Sequence, residues 1–349
     1  MITSIISEPG YTVVENAPLT ARNTFRVPAR AELLIDVHDA SNLSELFKLG
    51  AVKTGPVLIL GEGSNVLLTR DWPGVVMSIA ARGIRVVRDD GFHALVRVEA
   101  GENWNDFVHW SLGHGFAGLE NLVLIPGTVG AAPIQNIGAY GVEVREFIES
   151  VEAFDRDAGA RVRLSNADCT FAYRDSLFKR EPNRYLVTSV EFLLPRSREL
   201  RLDYAGVREE LAKMNIDSNT PSHAAVADAV MRLRTRKLPN PALIGNAGSF
   251  FKNPLAPVTR ADDLLRDHPQ LPNWPSPDGQ RKLSAAWLIE GCDFKGLREG
   301  DAGVSSQHAL VLVNHGNATG AQIWALAQRI METVKQRFGV QLEPEPIVI

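Results

Sequence analysis

Sixteen residues near the middle of the chain, Pro126-Gly127-Thr128-Val129-Gly130-Ala-Ala-Pro133-Ile-Gln135-Asn136-Ile-Gly138-Ala-Tyr140-Gly141, hold four glycines and two prolines among mostly small neighbours. A segment so poor in large apolar side chains buries little surface of its own, so its shape is set by what it wraps. Gln135 and Asn136 bring amide donors and acceptors, and Thr128 a hydroxyl, to a backbone that a flat, phosphate-bearing molecule can approach closely. A flexible linker is the competing reading. It fits less well, because linkers are rich in Ser, Lys and Glu, whereas this stretch carries Val, Ile and Tyr.

A second glycine signal, Gly61-Glu-Gly63-Ser64-Asn65, directly follows the apolar run Val57-Leu-Ile-Leu60. A dinucleotide fingerprint would need glycine where Val66 stands, and Arg70-Asp-Trp-Pro73-Gly arrives too soon for the helix of a Rossmann unit. Strand, glycine loop and short strand predict a backbone nest for an anion, with a plain tight turn as the alternative. The third signal, Gly245-Asn-Ala-Gly-Ser249-Phe-Phe-Lys252-Asn253-Pro254, places a hydroxyl, an ammonium and a carboxamide beside two large apolar rings. Phe250 and Phe251 can exclude the water that would weaken Ser249 and Lys252 electrostatically. An ordinary turn capping a strand is the bland alternative.

At 349 residues the chain exceeds the roughly 250–300 at which single cores stop growing, so two or three domains are expected. Its net charge of −4 provides no basic surface for nucleic acid or acidic membrane, so an anionic ligand must be held by local constellations. Two cysteines, Cys169 and Cys292, form neither a disulfide framework nor a metal or redox pair, and no metal site is expected. No signal peptide or membrane span is read, and the expected location is cytoplasmic, with no obligate protein partner.

Strands are predicted at Glu32–Val37, Val57–Leu60, Val75–Ile79 and Ala94–Val98, and a series of them between Phe147 and Leu194. Asn42–Glu45 reads as the start of a short helix ended by Gly50, and Asn103–Leu112 as a helix stopped by Gly113–Gly115. Pro195–Glu199 reads as a solvated connection. Thr220-Pro221 opens a helix with a basic end at Arg232, Arg234, Arg236 and Lys237, and Leu238-Pro-Asn-Pro241 stops it at a domain boundary. His268 to Gly279, with Pro269, Pro272, Pro275 and Pro277, reads as an irregular loop. Ile323, Leu326, Ile330, Val334 and Phe338 recur at helical spacing, with Gly339 as C-cap.

Six ordered motifs are shared with a known family: Gly61–Asn65, Ile125–Gly130, Pro133–Gly141, Tyr173-Arg174-Asp-Ser176, Arg236-Lys-Leu-Pro239 and Gly248–Pro254. Over nearly its whole length the chain resembles the UDP-N-acetylenolpyruvoylglucosamine reductases of type I. The resemblance implies an α+β, three-domain flavoprotein with a vanillyl-alcohol-oxidase (PCMH)-type FAD-binding fold plus a C-terminal substrate-binding domain. On that basis residues 1–80, with the tail 339–349 returning to them, form one FAD-binding subdomain, 81–237 the second, and 238–338 the substrate domain. It implies noncovalent FAD bound by Gly61, Gly63, Ser64, Asn65, Pro126, Gly127, Thr128, Gly130, Gln135, Asn136, Gly138 and Tyr140, with NADPH as the reductant.

The implied reaction reduces an enolpyruvyl nucleotide-sugar to UDP-N-acetylmuramate for peptidoglycan synthesis. Hydride addition to the alkene leaves charge on the carbon bearing the carboxylate. Arg174 can bind that carboxylate in its rigid fork more strongly as charge builds, although an ion pair with Asp175 is its structural alternative. Ser249 is the implied proton donor and Glu345 the implied acid that assists Arg174; Pro344 and Pro346 fix its backbone. Beside a substrate carboxylate, repulsion favours the protonated, donating form of Glu345. Tyr204, Lys237, Asn253 and His308 are implied substrate contacts. His308 replaces the family's usual glutamine, which leaves Gln307 as an adjacent candidate. Two other functions compete: an oxidase of the same superfold, and a catalytically silent nucleotide-sugar binder.

Overall fold

The computed structural model describes residues 4–276 and 279–349, so Pro277 lies outside the described residues. The chain divides into two compact units. The first comprises Met1–Ala17, Ala31–Glu62 and Trp72–Arg234; the second comprises Pro18–Arg30, Gly63–Asp71 and Thr235–Ile349.

Two five-stranded sheets dominate the first unit. One runs in the order Ile5–Glu8, Tyr11–Pro18, Arg30–Val37, Trp72–Ile79, Val57–Ile59, and its last three strands are parallel. Their near-continuous apolar runs suit strands covered on both faces. The other sheet is antiparallel throughout, in the order Ala160–Ser165, Ile148–Asp155, Tyr185–Pro195, His93–Glu99, Ile84–Asp89. The helix Trp104–Gly113 lies against it, with Asn103 as its N-cap accepting from the Asp106 N–H. Phe107 packs on Phe192 at a ring separation of 4.8 Å, and Trp104 is fully buried beside them. Burying such rings contributes about 1.5–3 kcal/mol each, which holds the helix to the sheet.

Several expectations change here. Gly50 does not end a helix but begins the short helix Gly50–Thr54, and Asn42 caps with no side-chain bond. The connection after Pro195 is not merely solvated. Arg196 lies over the Phe116 ring and pairs with Asp89, while Arg198 lies over Phe147 and pairs with Glu146. Guanidinium groups cover aromatic faces while keeping their charge satisfied, so basic spacing alone does not mark a free loop. The helix expected at Thr220-Pro221 starts at His223, and a further helix, Val207–Lys213, precedes it.

In the second unit the strands Leu255–Pro257, Gln280–Leu283 and Asn273–Ser276 form an antiparallel sheet with Gln280–Leu283 in the centre. This corrects the irregular loop predicted from the prolines, since Pro275 sits on an edge strand, where a missing N–H costs no ladder bond. A second small sheet joins Arg298–Glu299, Ala302–Val304 and Leu312–Asn314. The helix Gly320–Phe338 buries Ile323, Leu326, Ile330, Val334 and Phe338, as their spacing predicts, and closes on Gly339 at φ 63°. Ile347–Val348 pairs in parallel with Val66–Leu67, tying the last residues to the glycine-loop region. Each unit carries one thiol: Cys169 is buried in the first, and Cys292 is half-buried in the second.

Candidate active site

In the first unit the glycine-rich stretch is strapped onto the turn before the Trp104 helix. Gly130 N–H donates to Ala100 O, Val129 N–H to Glu102 O, and Trp104 N–H to Gly127 O, all at 2.8–2.9 Å. A Cβ on Gly130 would meet the Ala100 side chain at 2.5 Å, so this close approach requires glycine. Gly61 lies opposite Thr128, where a Cβ would sit 3.0 Å from the Thr128 hydroxyl. The two glycine signals of the sequence therefore meet at Gly61 and Thr128 within one unit.

Asn136 is fully buried with φ 45°. Its amide donates to Glu143 Oε2 and Ala172 O and accepts from the Arg145 N–H, so the side chain holds the fold of the segment. Tyr140 is also left-handed, at φ 49°. Such backbone costs about 1–3 kcal/mol per residue and persists only where its surroundings hold it.

Arg174 shares that strain, at φ 53°. Its Nη2 donates to Gly138 O at 2.6 Å, and a Cβ on Gly138 would lie 2.9 Å from Nη1, so glycine at 138 makes room for the guanidinium. Asp175, the ion-pair partner considered from sequence, pairs with Arg180. Ser176 caps the helix Leu177–Arg180 and donates to Ile134 O at 2.5 Å, which ties the arginine loop to the glycine-rich stretch. Tyr204 is half exposed and packs edge-on against Tyr140 at 4.9 Å.

One residue of this cluster escaped the sequence reading. Arg234, expected only as part of the basic end of its helix, lies in the last turn of His223–Lys237. Its Nε is shut off from solvent with no hydrogen-bond partner among the described residues. Burial pulls its pKa down; Tyr140 and Tyr204 oppose the shift, and Arg174 adds to it. The signal available in sequence was Leu233, which places Arg234 beside the buried stripe of Val226, Val230 and Leu233.

In the second unit Ser249 follows Gly248, whose φ of 69° turns the chain. The segment then runs against the C-terminal stretch: Glu345 N–H donates to Phe250 O at 2.8 Å, Phe251 bridges Pro344, and Lys252 N–H donates to Glu343 O. Backbone pairing thus sets the segment that carries Ser249 against the segment that carries Glu345, with Phe250 as the direct partner of Glu345. Ser249 and Glu345 are partly accessible, while Phe250 and Phe251 beneath them are buried and stack edge-on at 5.1 Å. Asn65 donates through Nδ2 to Glu345 O, which joins the end of the second glycine signal to the same segment. Gly63 O accepts from the Thr24 N–H, and a Cβ on Gly63 would collide with Arg22 O.

Lys252 ion-pairs with Glu343 at 3.2 Å. Asn253 Oδ1 caps the helix Ala285–Glu290 by accepting from the Ala285 N–H. His308 Nδ1 accepts from the Leu310 N–H at 3.2 Å. Burial, and then Lys237, hold His308 below the usual imidazole pKa, so it is neutral at pH 7. Its neighbour Gln307 is exposed. Arg174 belongs to the first unit, and Ser249 and Glu345 to the second.

A family model described as the C-terminal domain of UDP-N-acetylenolpyruvoylglucosamine reductase matches residues 240–349, and one described as an FAD binding domain matches residues 31–165. The UDP-N-acetylenolpyruvoylglucosamine reductase of Xanthomonas euvesicatoria pv. vesicatoria is 54% identical over 341 residues, covering 97% of each chain. The chain belongs to the UDP-N-acetylenolpyruvoylglucosamine reductase family. The reductase of Xylella fastidiosa (strain 9a5c) is 51% identical over 345 residues, covering 99% of this chain and 98% of its own. The crystal structure of the reductase from Thermus caldophilus shares the fold, with a TM-score of 0.67 at 24% identity over 99% of both chains.

The expected α+β architecture, an FAD-binding domain followed by a C-terminal domain, is what the chain has. The residues fit the cofactor. The FAD-binding match contains both glycine signals, and Gly61, Gly130 and Gly138 let that backbone pack closely on Thr128, Ala100 and Arg174.

Proposed function

We propose that Arg174, Ser249 and Glu345 carry the substrate-reducing half of this family's reaction, with the nucleotide held by Tyr204, Lys237, Asn253 and His308. The chain reduces UDP-N-acetylglucosamine enolpyruvate to UDP-N-acetylmuramate, a step of peptidoglycan precursor synthesis, using noncovalent FAD and NADPH. Bound flavin supplies the hydride that no side chain can. Arg174 clamps the substrate carboxylate and stabilises it as charge accumulates after hydride addition. Ser249 Oγ gives its proton to the carbon bearing that carboxylate, and Glu345 donates to the carboxylate side of the same group.

Lys237 supplies a point charge for diphosphate. His308, with Nδ1 engaged by backbone, presents Nε2 as a neutral donor in place of an amide. The cofactor falls to Gly61, Gly63, Ser64 and Asn65 and to the strap from Pro126 through Gly127, Thr128, Gly130, Gln135, Asn136 and Gly138 to Tyr140. The division at 1–80 with 339–349, 81–237 and 238–338 and a cytoplasmic location belong to the same reading. No helix of the described residues is long and apolar enough to cross a membrane.

The observation that supports this reading is the backbone pairing of Phe250 with Glu345 and of Phe251 with Pro344, which runs the Ser249 segment against the Glu345 segment. Rapid-mixing kinetics test it. Ser249→Ala leaves flavin bleaching by NADPH within a few fold of the parent and slows recovery of colour with the enolpyruvyl nucleotide by several orders of magnitude. Equal slowing of both phases would refute the role.

A further inference from the structure

Arg234 is a cation without a carboxylate partner among the described residues. Its Nε lies out of reach of water, with no hydrogen-bond partner among those residues. The charged and titratable groups that act on it are Tyr140, Tyr204 and a second guanidinium, Arg174. Tyrosine rings and phenol oxygens soften a positive charge but do not neutralise it, and a second arginine makes the site more costly to keep charged. A fold retains such an arrangement when a ligand completes it. The surroundings specify that ligand as an anion reaching the same recess as Arg174.

We propose that Arg234 is a second carboxylate-binding arginine of the reducing site, acting with Arg174 on the substrate's carboxylate. The inference rests on the reading of Arg174 given above. Its chemistry is charge matching. One guanidinium balances a carboxylate, but hydride addition to the conjugated alkene converts that group into a dianionic enolate, and two guanidinium groups balance two charges. Until the carbon takes up its proton, Arg234 therefore contributes more to the intermediate than to the substrate.

The charge is also built to be present when needed. Burial and Arg174 work against protonation, yet a guanidinium starts so far above neutrality that it stays charged. Rigidity follows from the helix His223–Lys237, whose Val226, Val230 and Leu233 are locked in the core. A group presented from such an element loses little freedom when the anion arrives.

The test uses the FAD-loaded, full-length protein and the variants Arg234→Met and Arg234→Lys. Arg234→Met removes an uncompensated buried charge, so its substrate-free melting temperature is equal to or above that of the parent. Its reduction by NADPH stays within about threefold, while anaerobic reoxidation by the enolpyruvyl nucleotide slows on the order of 100-fold. The preference for the nucleotide over its carboxylate methyl ester shrinks by a similar factor, and Arg234→Lys recovers part of both.

Reoxidation within threefold of the parent with the ester preference intact overturns the proposal. So does a lowered melting temperature with both half-reactions slowed alike, which marks a structural arginine. Failure of the underlying reading looks different, because then the parent protein itself shows no preference for the carboxylate over its ester.

Discussion

Single atoms decide much of the first unit's chemistry. Gly138 is the clearest case, because its carbonyl accepts from Arg174 while its missing side chain leaves room for that guanidinium. Gly138→Ala places a methyl 2.9 Å from Nη1, so Arg174 must move or the strand must bend. A misplacement near 1 Å costs about 100-fold in a positioned reaction, and the expected result is a loss of that order in reoxidation with NADPH reduction largely spared. Stopped-flow absorbance of the flavin reads both phases. The motifs made Arg174 and Ser249 visible in the sequence. Arg234 stayed hidden, because a basic residue in a helix's last turn is well explained by the dipole. The one hint in the order of residues is its neighbour Leu233, which belongs to the buried stripe.

At the scale of elements, the strand Ile347–Val348 shows what sequence patterns miss. Its partner Val66–Leu67 lies some 280 positions away, and two-residue strands carry no periodicity. The amphipathic helix Gly320–Phe338, by contrast, was legible residue by residue, because its 3.6-residue stripe and its glycine cap are local signals. Removing Ile347–Ile349 deletes the parallel pairing and the bonds that Thr69 makes to Ile349 O through its N–H and hydroxyl. With each such bond contributing about 0.5–1.5 kcal/mol, the truncated protein should melt several degrees lower. Glu345, two residues from the cut, should lose its registration against Phe250, so substrate-driven reoxidation falls more than NADPH-driven reduction. Calorimetry and the two half-reactions measured together check this.

The molecule as a whole records pH through two imidazoles, the half-buried His308 and the more exposed His315. Burial holds His308 and His315 below the ordinary histidine value, with Lys237 reinforcing the effect at the first and Arg298 at the second. As pH drops through 6.5 the unfolded chain takes up protons that the folded protein refuses, so stability declines until the folded values are passed. His308→Gln should flatten that decline, as measured by urea unfolding from about pH 7 to pH 5. A decline equally steep in the variant would assign the pH response to other groups. The sequence predicted two or three domains from length, yet it could not show that Pro18–Arg30 and Gly63–Asp71 leave the amino-terminal half to join the second unit. Excursions of that kind arise from packing between residues distant along the chain.

The two thiols turn that division into a clock. Burial pushes Cys169 up to about 12 and raises Cys292 as well, so neither reacts readily with an alkylating reagent while its surroundings stay closed. One sulfur sits in each unit, so mass tags acquired during timed denaturant pulses report separately when either half opens.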